Sequence, residues 1–307
     1  MEQKLFVIIL NYNGWQDTLE CVQSVENCEY EDLVTVVVDN ASTDGSYEIL
    51  LDRLSPNVVL LRSETNIGYA GGNNIGIRYA QENGADFICV LNNDTVVEAA
   101  AFSKCVAFLK KEPKAGFVGP VIMEYRGDVV QSTGGDIYIQ KGEVTLNNNG
   151  RLPSELPERI PCDYIGGACI LFRTSLLDTV GLIPECYFLF FEETEWCCRA
   201  KRAGYENICI SGAYVRHKGS ASIDAVDGLH SYLMEHNRVV FVRRNIGNTA
   251  RYVLYLLYQI TKTIYRAAFK DRINWRYLRY QMDGALNKVD TKRFPFIVIK
   301  DAPQTGE

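Results

Sequence analysis

The sequence predicts an α/β fold: a mostly parallel sheet flanked by helices on both faces, continued by a helical C-terminal extension. Three features predict it. Apolar runs at 5–10, 34–38, 58–61 and 86–91 alternate with segments of helical period, the spacing of βαβ units. Polar clusters stand at or just beyond the carboxyl ends of these runs, where open α/β sheets hold ligands. The alternation stops after Gly119, and helical periodicity returns only from Leu229.

Taken in order, 5–10 is an unbroken apolar run, as a strand buried on both faces requires. Met1-Glu2-Gln3-Lys4 leads straight into this run, which is too short and wrongly flanked for a signal peptide. A cytoplasmic protein is therefore expected. After Trp15, Leu19, Val22 and Val25 share one helical face; 46–54, 73–81 and 99–110 are the next helices. Gly134-Gly135, Lys141-Gly142 and Asn147-Asn148-Asn149-Gly150 mark hairpin and loop material, expected to be antiparallel. Pro153, Pro157 and Pro161 mark an extended loop; strand character resumes over 163–172, and a short helix at 175–180 is closed by Gly181. The catalytic unit is expected to span 1–245, with halves of about 1–120 and 121–245, and the extension 246–307.

The 307 residues are 47% apolar and 23% charged, ordinary for a globular protein. No uncharged apolar run reaches the roughly 18 residues of a spanning helix. Ten cysteines without an export signal, several inside apolar patterns, are expected to be reduced and buried. Charge is uneven: residues 1–242 hold 19 Lys/Arg against 33 Asp/Glu, and 243–307 hold 13 against 5. An acidic body excludes general nucleic-acid binding and gives the two parts different partners.

Five clusters carry chemistry. Asn11-Tyr12-Asn13-Gly14 follows the first strand. Asp39-Asn40-Ala41-Ser42-Thr43-Asp44-Gly45-Ser46 follows the second; Asp44 and Ser46 suit a helix cap, whereas Asp39, at a strand end, could accept from the N–H of a pyrimidine base. In Asn66-Ile67-Gly68-Tyr69-Ala70-Gly71-Gly72-Asn73-Asn74-Ile75-Gly76 the small residues would let backbone N–H groups approach a phosphate or sugar. Gly-x-Gly-x-x-Gly does not follow the first strand, which disfavours a dehydrogenase. Asn92-Asn93-Asp94 ends the fourth strand with one carboxylate able to hold a divalent cation and, through it, phosphates; a plain turn is the alternative. Glu192, Glu193 and Glu195 follow five apolar or aromatic residues. They are either an acidic first helical turn or a partly desolvated general base. His217, one of three histidines, ends a short apolar stretch and becomes a ligand only if a metal site needs one.

The order of these motifs resembles the family 2 glycosyltransferases of the GT-A fold, in particular the non-processive, rhamnosyltransferase-like branch. The likeness runs over about 5–245 and more loosely to Asp283-Gly284. It implies transfer of a sugar from a nucleotide-diphosphate donor, dTDP-rhamnose or a UDP-sugar, to a hydroxyl of a glycan or lipid-linked acceptor in surface-polysaccharide synthesis. It implies a donor site at Asn11, Asn13, Asp39, Asn40, Ser42, Asn66, Ala70, Gly71, Asn74, Asn92, Asn93 and Asp94. It also implies Mg²⁺ or Mn²⁺ on Asp94 and His217, and Glu193 as catalytic base with Glu192 and Glu195 as rivals. The family's Asp-x-Asp has lost its first carboxylate here, and its base position carries Glu rather than the commoner Asp. Gln-x-x-Arg-Trp, linked to processive synthesis, is absent, which implies transfer of one or few sugars. With one base and direct displacement, configuration inverts.

The basic tail reads as a Tyr- and Leu-rich helix over 249–269. Arg251, Lys262, Arg266 and Lys270 lie off its apolar face, and Arg272, Arg276 and Arg279 are interleaved with Trp275, Tyr277 and Tyr280. Such a helix packs on the body, on a second copy in a homodimer, or on an anionic membrane through 249–280. Two rival functions stand beside the transferase. A sugar-phosphate nucleotidyltransferase would need a Gly-rich, basic loop after the first strand. A catalytically inactive nucleotide-sugar-binding scaffold would explain the lost carboxylate.

Overall fold

The computed structural model describes residues 3–219, 226–270 and 275–297. Strands β1 (Leu5–Asn11), β2 (Leu33–Asp39), β3 (Val59–Arg62) and β4 (Phe87–Asn92) alternate with α1 (Trp15–Glu26), α2 (Ser46–Arg53) and α3 (Gly68–Glu82). There follow β5 (Thr95–Val97), α4 (Ala101–Lys111), β6 (Ala115–Glu124), β7 (Val130–Ser132) and the hairpin of β8 (Gly135–Tyr138) and β9 (Glu143–Leu146). Next are β10 (Arg159–Cys162), β11 (Cys169–Arg173), α5 (Leu177–Val180), α6 (Glu192–Arg202) and β12 (Glu206–His217). Helices α7 (Leu229–Asn245), α8 (Thr249–Tyr265) and α9 (Arg276–Ala285) come last.

The main sheet runs β10-β12-β6-β11-β4-β1-β2-β3. Its β4-β1-β2-β3 half is wholly parallel, in a register that pairs Asn11 with Asp39 and Leu10 with Asn92. The polar strand tips therefore lie side by side. β11 runs antiparallel between β4 and β6, and β12 runs parallel to β6. The two-residue period of a strand divides β1 between two cores: Leu5, Val7 and Ile9 pack with α1 and α4, Phe6 and Ile8 with α3 and α6. Each such fully buried side chain contributes about 1.5–3 kcal/mol.

Several boundaries differ from the sequence expectation. α3 starts at Gly68 rather than 73, so the glycine run is its first turns. A Cβ at Gly72 or Gly76 would come within 2.4 Å of Leu10 or 2.3 Å of Ile8; these glycines let α3 lie close on β1 instead of cradling a phosphate. The strand expected over 163–172 is regular only at Cys169–Arg173. Pro161 lies in the edge strand β10, where its missing N–H costs no central ladder bond. The ten cysteines are free thiols, nine buried and Cys28 half-buried. Arg272 and the side chain of Lys270 lie outside the described residues.

Candidate functional site

The strand tips are joined by one hydrogen-bond network. Asn11, at the end of β1, donates from Nδ2 to Asp39 Oδ1 (2.8 Å) and to Ser42 Oγ (3.1 Å), and accepts from Thr18 Oγ1 (2.8 Å). Asn93 Nδ2 donates to Thr18 Oγ1 (3.1 Å). The carboxylate after β2 is thereby tied to the motif after β4 through the first turn of α1. Ser42 N–H closes on Asp39 Oδ2 (3.1 Å), and Arg62 stands 3.8 Å away. Asn13 and Ala41 hold left-handed backbone, φ 52° and 59°, at neighbouring strand ends. Non-glycine strain of this kind gathers where geometry is functionally constrained.

Asp94 and His217 meet because two strands bring them together. β12 bulges between Ile210 and Tyr214, around Gly212 at φ 85°, and its end, shifted in register but still paired with β6, pairs also with β5, setting His217 opposite Thr95. His217 Nε2 lies 3.3 Å from Asp94 Oδ1, with side chains only 14% and 15% exposed. That nitrogen is buried and makes no hydrogen bond. The ring's other nitrogen, Nδ1, is 2.7 Å from Gln131 Oε1 on β7. An amide oxygen can only accept, so Nδ1 donates to Gln131, and Nε2 is the ring nitrogen turned toward Asp94. Lys218, the next residue, is anchored to Asp17 (2.6 Å) and to Glu20 on α1, and its backbone N–H donates to Asp94 O. Among the described residues no three His, Cys, Asp or Glu side chains form a closed metal cage. One carboxylate and one orphaned imidazole nitrogen fit an open site for Mg²⁺ or Mn²⁺, which takes further ligands from phosphate and water.

The three acids of α6 have separate environments. Phe190 and Phe191, before the helix, are both left-handed at φ 71° and 73°, and Asn237 Nδ2 holds the turn by donating to Leu189 O and Phe190 O. Glu192 is buried and Glu193 half-buried; each has one buried carboxylate oxygen with no hydrogen-bond partner. Burial pushes both carboxyls up. Glu192 is raised further by the charge of Glu193, whereas backbone N–H groups of Glu193 and Thr194 oppose the rise at Glu193. Backbone N–H groups of Glu192 and Phe190 likewise oppose the rise at Glu192; two neighbouring carboxylates in such a site do not both ionise readily, and Glu192 is the one pushed up further. Glu195 differs. Burial pushes it up, but Arg244 (2.9 Å), Tyr187 (2.6 Å) and Arg199 (2.9 Å) overcome this and hold it at about 2. A carboxylate so fully partnered is a strut between α6 and α7 and a poor base.

α3 links the acids to the strand tips. Tyr69 N–H donates to Phe188 O, just before α6, and Tyr69 OH to Gly167 O; Asn92 N–H donates to Ala168 O beside it. The Tyr69 hydroxyl is pushed up by burial and then by the charges of Glu192 and Glu193.

Several expected donor contacts have other partners. Asn74 uses both amide atoms on Ile183 and also reaches Glu185. Asn40 donates to Asn66 Oδ1 and Gly68 O while accepting from Ser63 and Ile67, and Asn66 Oδ1 also accepts from Gly68 N–H; these two build the turn into α3. Ala70 and Gly71 are buried in helix packing. Asn93 faces α1, and Asp94 is the member of its motif that faces His217. Gln131, Lys218 and Tyr69 carried no sequence signal, since their partners lie 86 to 201 residues away.

This arrangement has known counterparts. The chain is 27% identical over 243 residues, 78% of itself and 70% of the relative, to the low-salt glycan biosynthesis hexosyltransferase Agl10 of Haloferax volcanii. It is 24% identical over 264 residues, 79% and 84% of the two chains, to an N-acetylglucosaminyl-diphospho-decaprenol L-rhamnosyltransferase of Mycobacterium tuberculosis. In fold it is similar to mannosyltransferase PcManGT of Pyrobaculum calidifontis, solved with GDP-Man and Mn²⁺ (TM-score 0.59, 15% identity, 95% and 88% coverage). It is likewise similar to S. aureus TarS 1-349 in complex with UDP-GlcNAc (TM-score 0.58, 16% identity, 92% and 79% coverage). These structures bear out the GT-A fold. The model described as glycosyl transferase family 2 matches residues 6–181, from β1 through α5, and with it the chain belongs to that family, as a glycosyltransferase of the rhamnosyltransferase-like kind.

Proposed function

We propose that this transferase moves a sugar, rhamnose from dTDP-rhamnose or the sugar of a UDP donor, to a hydroxyl of a glycan or lipid-linked acceptor, with inversion and with a divalent cation. The observation that carries the reading is His217 Nε2, buried, without a hydrogen bond and 3.3 Å from Asp94, which follows β4 two strands along the sheet from the tip that bears Asp39. Asp39 reads the base: Asn11 and Ser42 hold its buried carboxylate at the strand end, with Arg62 3.8 Å away, and a pyrimidine N–H is the donor it would take. A divalent cation held by Asp94 and His217 would neutralise the charge that develops on the departing nucleoside diphosphate.

A hydroxyl acceptor is a weak nucleophile, and Glu193 removes its proton as it attacks the anomeric carbon. Glu192 stays protonated beside it, which keeps one negative charge in a site that stabilises only one. The bond from anomeric carbon to diphosphate oxygen breaks on the opposite face, so configuration inverts and no second nucleophilic carboxylate is needed. The M. tuberculosis relative, by its name, acts on a diphospho-decaprenol-linked sugar, which supports a lipid-linked acceptor here.

Transfer and donor binding, measured for UDP-, dTDP- and GDP-sugars with and without Mn²⁺, test the reading. The expected result is turnover of one pyrimidine donor that falls sharply on chelation. Binding of that donor without turnover, unchanged in Glu193→Gln, would make the protein the inactive scaffold instead.

A further inference from the structure

α8 presents its faces in reverse. A helix on a globular body normally buries its apolar stripe. In α8 the buried positions are Tyr255, Gln259 and Thr263, spaced four apart on one face. On the opposite face Leu254, Leu257 and Tyr258 are 66%, 57% and 58% exposed, and Phe269, beyond the helix end, is 78% exposed. The inversion is anchored by specific bonds. Gln259 Nε2 donates to Lys141 O in the β8–β9 hairpin, and Thr263 Oγ1 accepts from Gln281 on α9. α9 continues the exposed surface: Trp275, Arg279, Met282 and Leu286 share one outward face, and Met282 joins Val253 and Leu257 in an apolar groove.

We infer that the exposed face of α8 and α9 docks on an anionic lipid surface. Charge selects this occupant over a second copy. Over the described part of α8, α9 and the segment between them, Arg251, Lys262, Arg266, Arg276 and Arg279 stand against Asp283, with Lys262 also reaching Glu143 and Arg279 reaching Asp290, so a two-fold pairing of this face would set basic side chains against basic ones. Anionic headgroups attract the same residues. Arg251 and Lys262 border the apolar stripe of α8, and exposed tyrosine and tryptophan suit the headgroup level. Among the described residues no helix is long and apolar enough to cross a membrane, so α8 lies in the surface. Docking there also places the active site. The hairpin held by Gln259 pairs at Gly135 with Tyr164, whose hydroxyl is pushed up by burial and next by the charge of Glu193. Glu193 is thereby held at a fixed position relative to the bilayer. This extends the lipid-linked acceptor proposed above, and rests on it only for what the membrane supplies.

The test is flotation of the full chain with vesicles of phosphatidylcholine, alone or mixed with phosphatidylglycerol, beside the variant L254S/L257S/Y258S and the charge variant R251Q/K262Q. The wild type is expected to float with the anionic vesicles. Each buried apolar side chain contributes about tenfold or more to partitioning, so the triple variant should bind at least about a thousandfold more weakly. The charge variant should lose its preference for phosphatidylglycerol. An unchanged thermal midpoint of the triple variant, with donor binding retained, shows that it is folded. Equal flotation of wild type and triple variant, no flotation of the wild type, or a wild-type dimer in sedimentation velocity that the triple variant dissociates, would each overturn the inference. None of these readings depends on sugar transfer, so the transferase reading stands or falls separately.

Discussion

Replacing Glu195 by Gln should weaken the fold without removing the chemistry. The carboxylate is 3% exposed and accepts hydrogen bonds from Arg244 Nε and Nη2, Arg199 Nη2 and Tyr187 OH. Its pKa falls from an ordinary 4.5 to about 2, a difference worth about 3 kcal/mol. Gln keeps the shape but leaves two guanidinium groups, about one-fifth exposed, without their counter-charge. Breaking one side of a buried pair typically costs about 3–5 kcal/mol. Urea unfolding at neutral pH, followed by fluorescence, should show a loss of about 3 kcal/mol. The pH dependence has a definite sign. Because the folded pKa lies below the unfolded one, this stabilisation is complete above about pH 4.5 and is lost as pH falls toward 2. The variant should lack that component of acid destabilisation. Folded Glu195→Gln should still transfer sugar. An unchanged urea midpoint would refute the strut; loss of transfer as complete as in Glu193→Gln, with the fold intact, would return Glu195 to the list of bases.

Four further outcomes follow. Glu193→Gln should lower transfer by about 10²–10⁴ while donor binding, read by calorimetry, persists; in the wild type the rate should fall with decreasing pH at a point above the ordinary carboxylate 4.5, because burial raises this group. Gln131→Ala should weaken Mn²⁺ binding, followed by electron paramagnetic resonance with nucleotide diphosphate present, by about 10–100-fold, and Gln131→Glu should restore it; equal affinity in all three would show that the ring needs no orienting partner. Glu192→Gln should raise the thermal midpoint at neutral pH, since a buried carboxyl with a raised pKa destabilises the fold as pH rises through that pKa. Gly68→Ala should cost about 1–3 kcal/mol and more activity than stability, because its φ is 74° and its Cβ would lie 2.3 Å from Phe188 O, on the segment that positions α6.

What the sequence made legible was local. Unbroken apolar runs identified the parallel strands, because a strand buried on both faces has no polar alternate. Asp39 and Asp94 stood out because a carboxylate directly after such a run needs a reason. The remainder was decided by contacts distant in sequence. Asn11, Asn40 and Asn74 look alike as strand-end or helix-start amides, yet the structure ties Asn74 to Ile183 and Asn40 to the turn at Asn66, partners no spacing rule supplies. The glycines of α3 resembled a phosphate cradle because close approach to a ligand and close approach to a strand ask for the same missing Cβ. Only the positions of Ile8 and Leu10 distinguish them. Glu192, Glu193 and Glu195 were equivalent as letters; Arg244, 49 residues on, separates the third from the other two.

Asn93, the middle residue of Asn92-Asn93-Asp94, has a structural account of its own. An acid at 93 would place a second negative charge where an amide now donates to Thr18 Oγ1 and packs against Gly14, holding the start of α1 on the strand tips. Thr18 Oγ1 in turn donates to Asn11, so its hydrogen is taken and it can offer a partner at 93 only a lone pair. A carboxylate there would face an acceptor and break the chain that runs to Asp39. Asn satisfies that chain; the carboxylate the motif lacks is at 92, and under the proposed mechanism the second cation ligand comes from β12, as His217. A site with one charge and one neutral ring binds a divalent ion weakly by itself, because most of the neutralising charge must come from elsewhere. The donor's diphosphate brings that charge. Cation and nucleotide should therefore assemble together, which ties occupancy of the metal site to the presence of the substrate whose departure it assists.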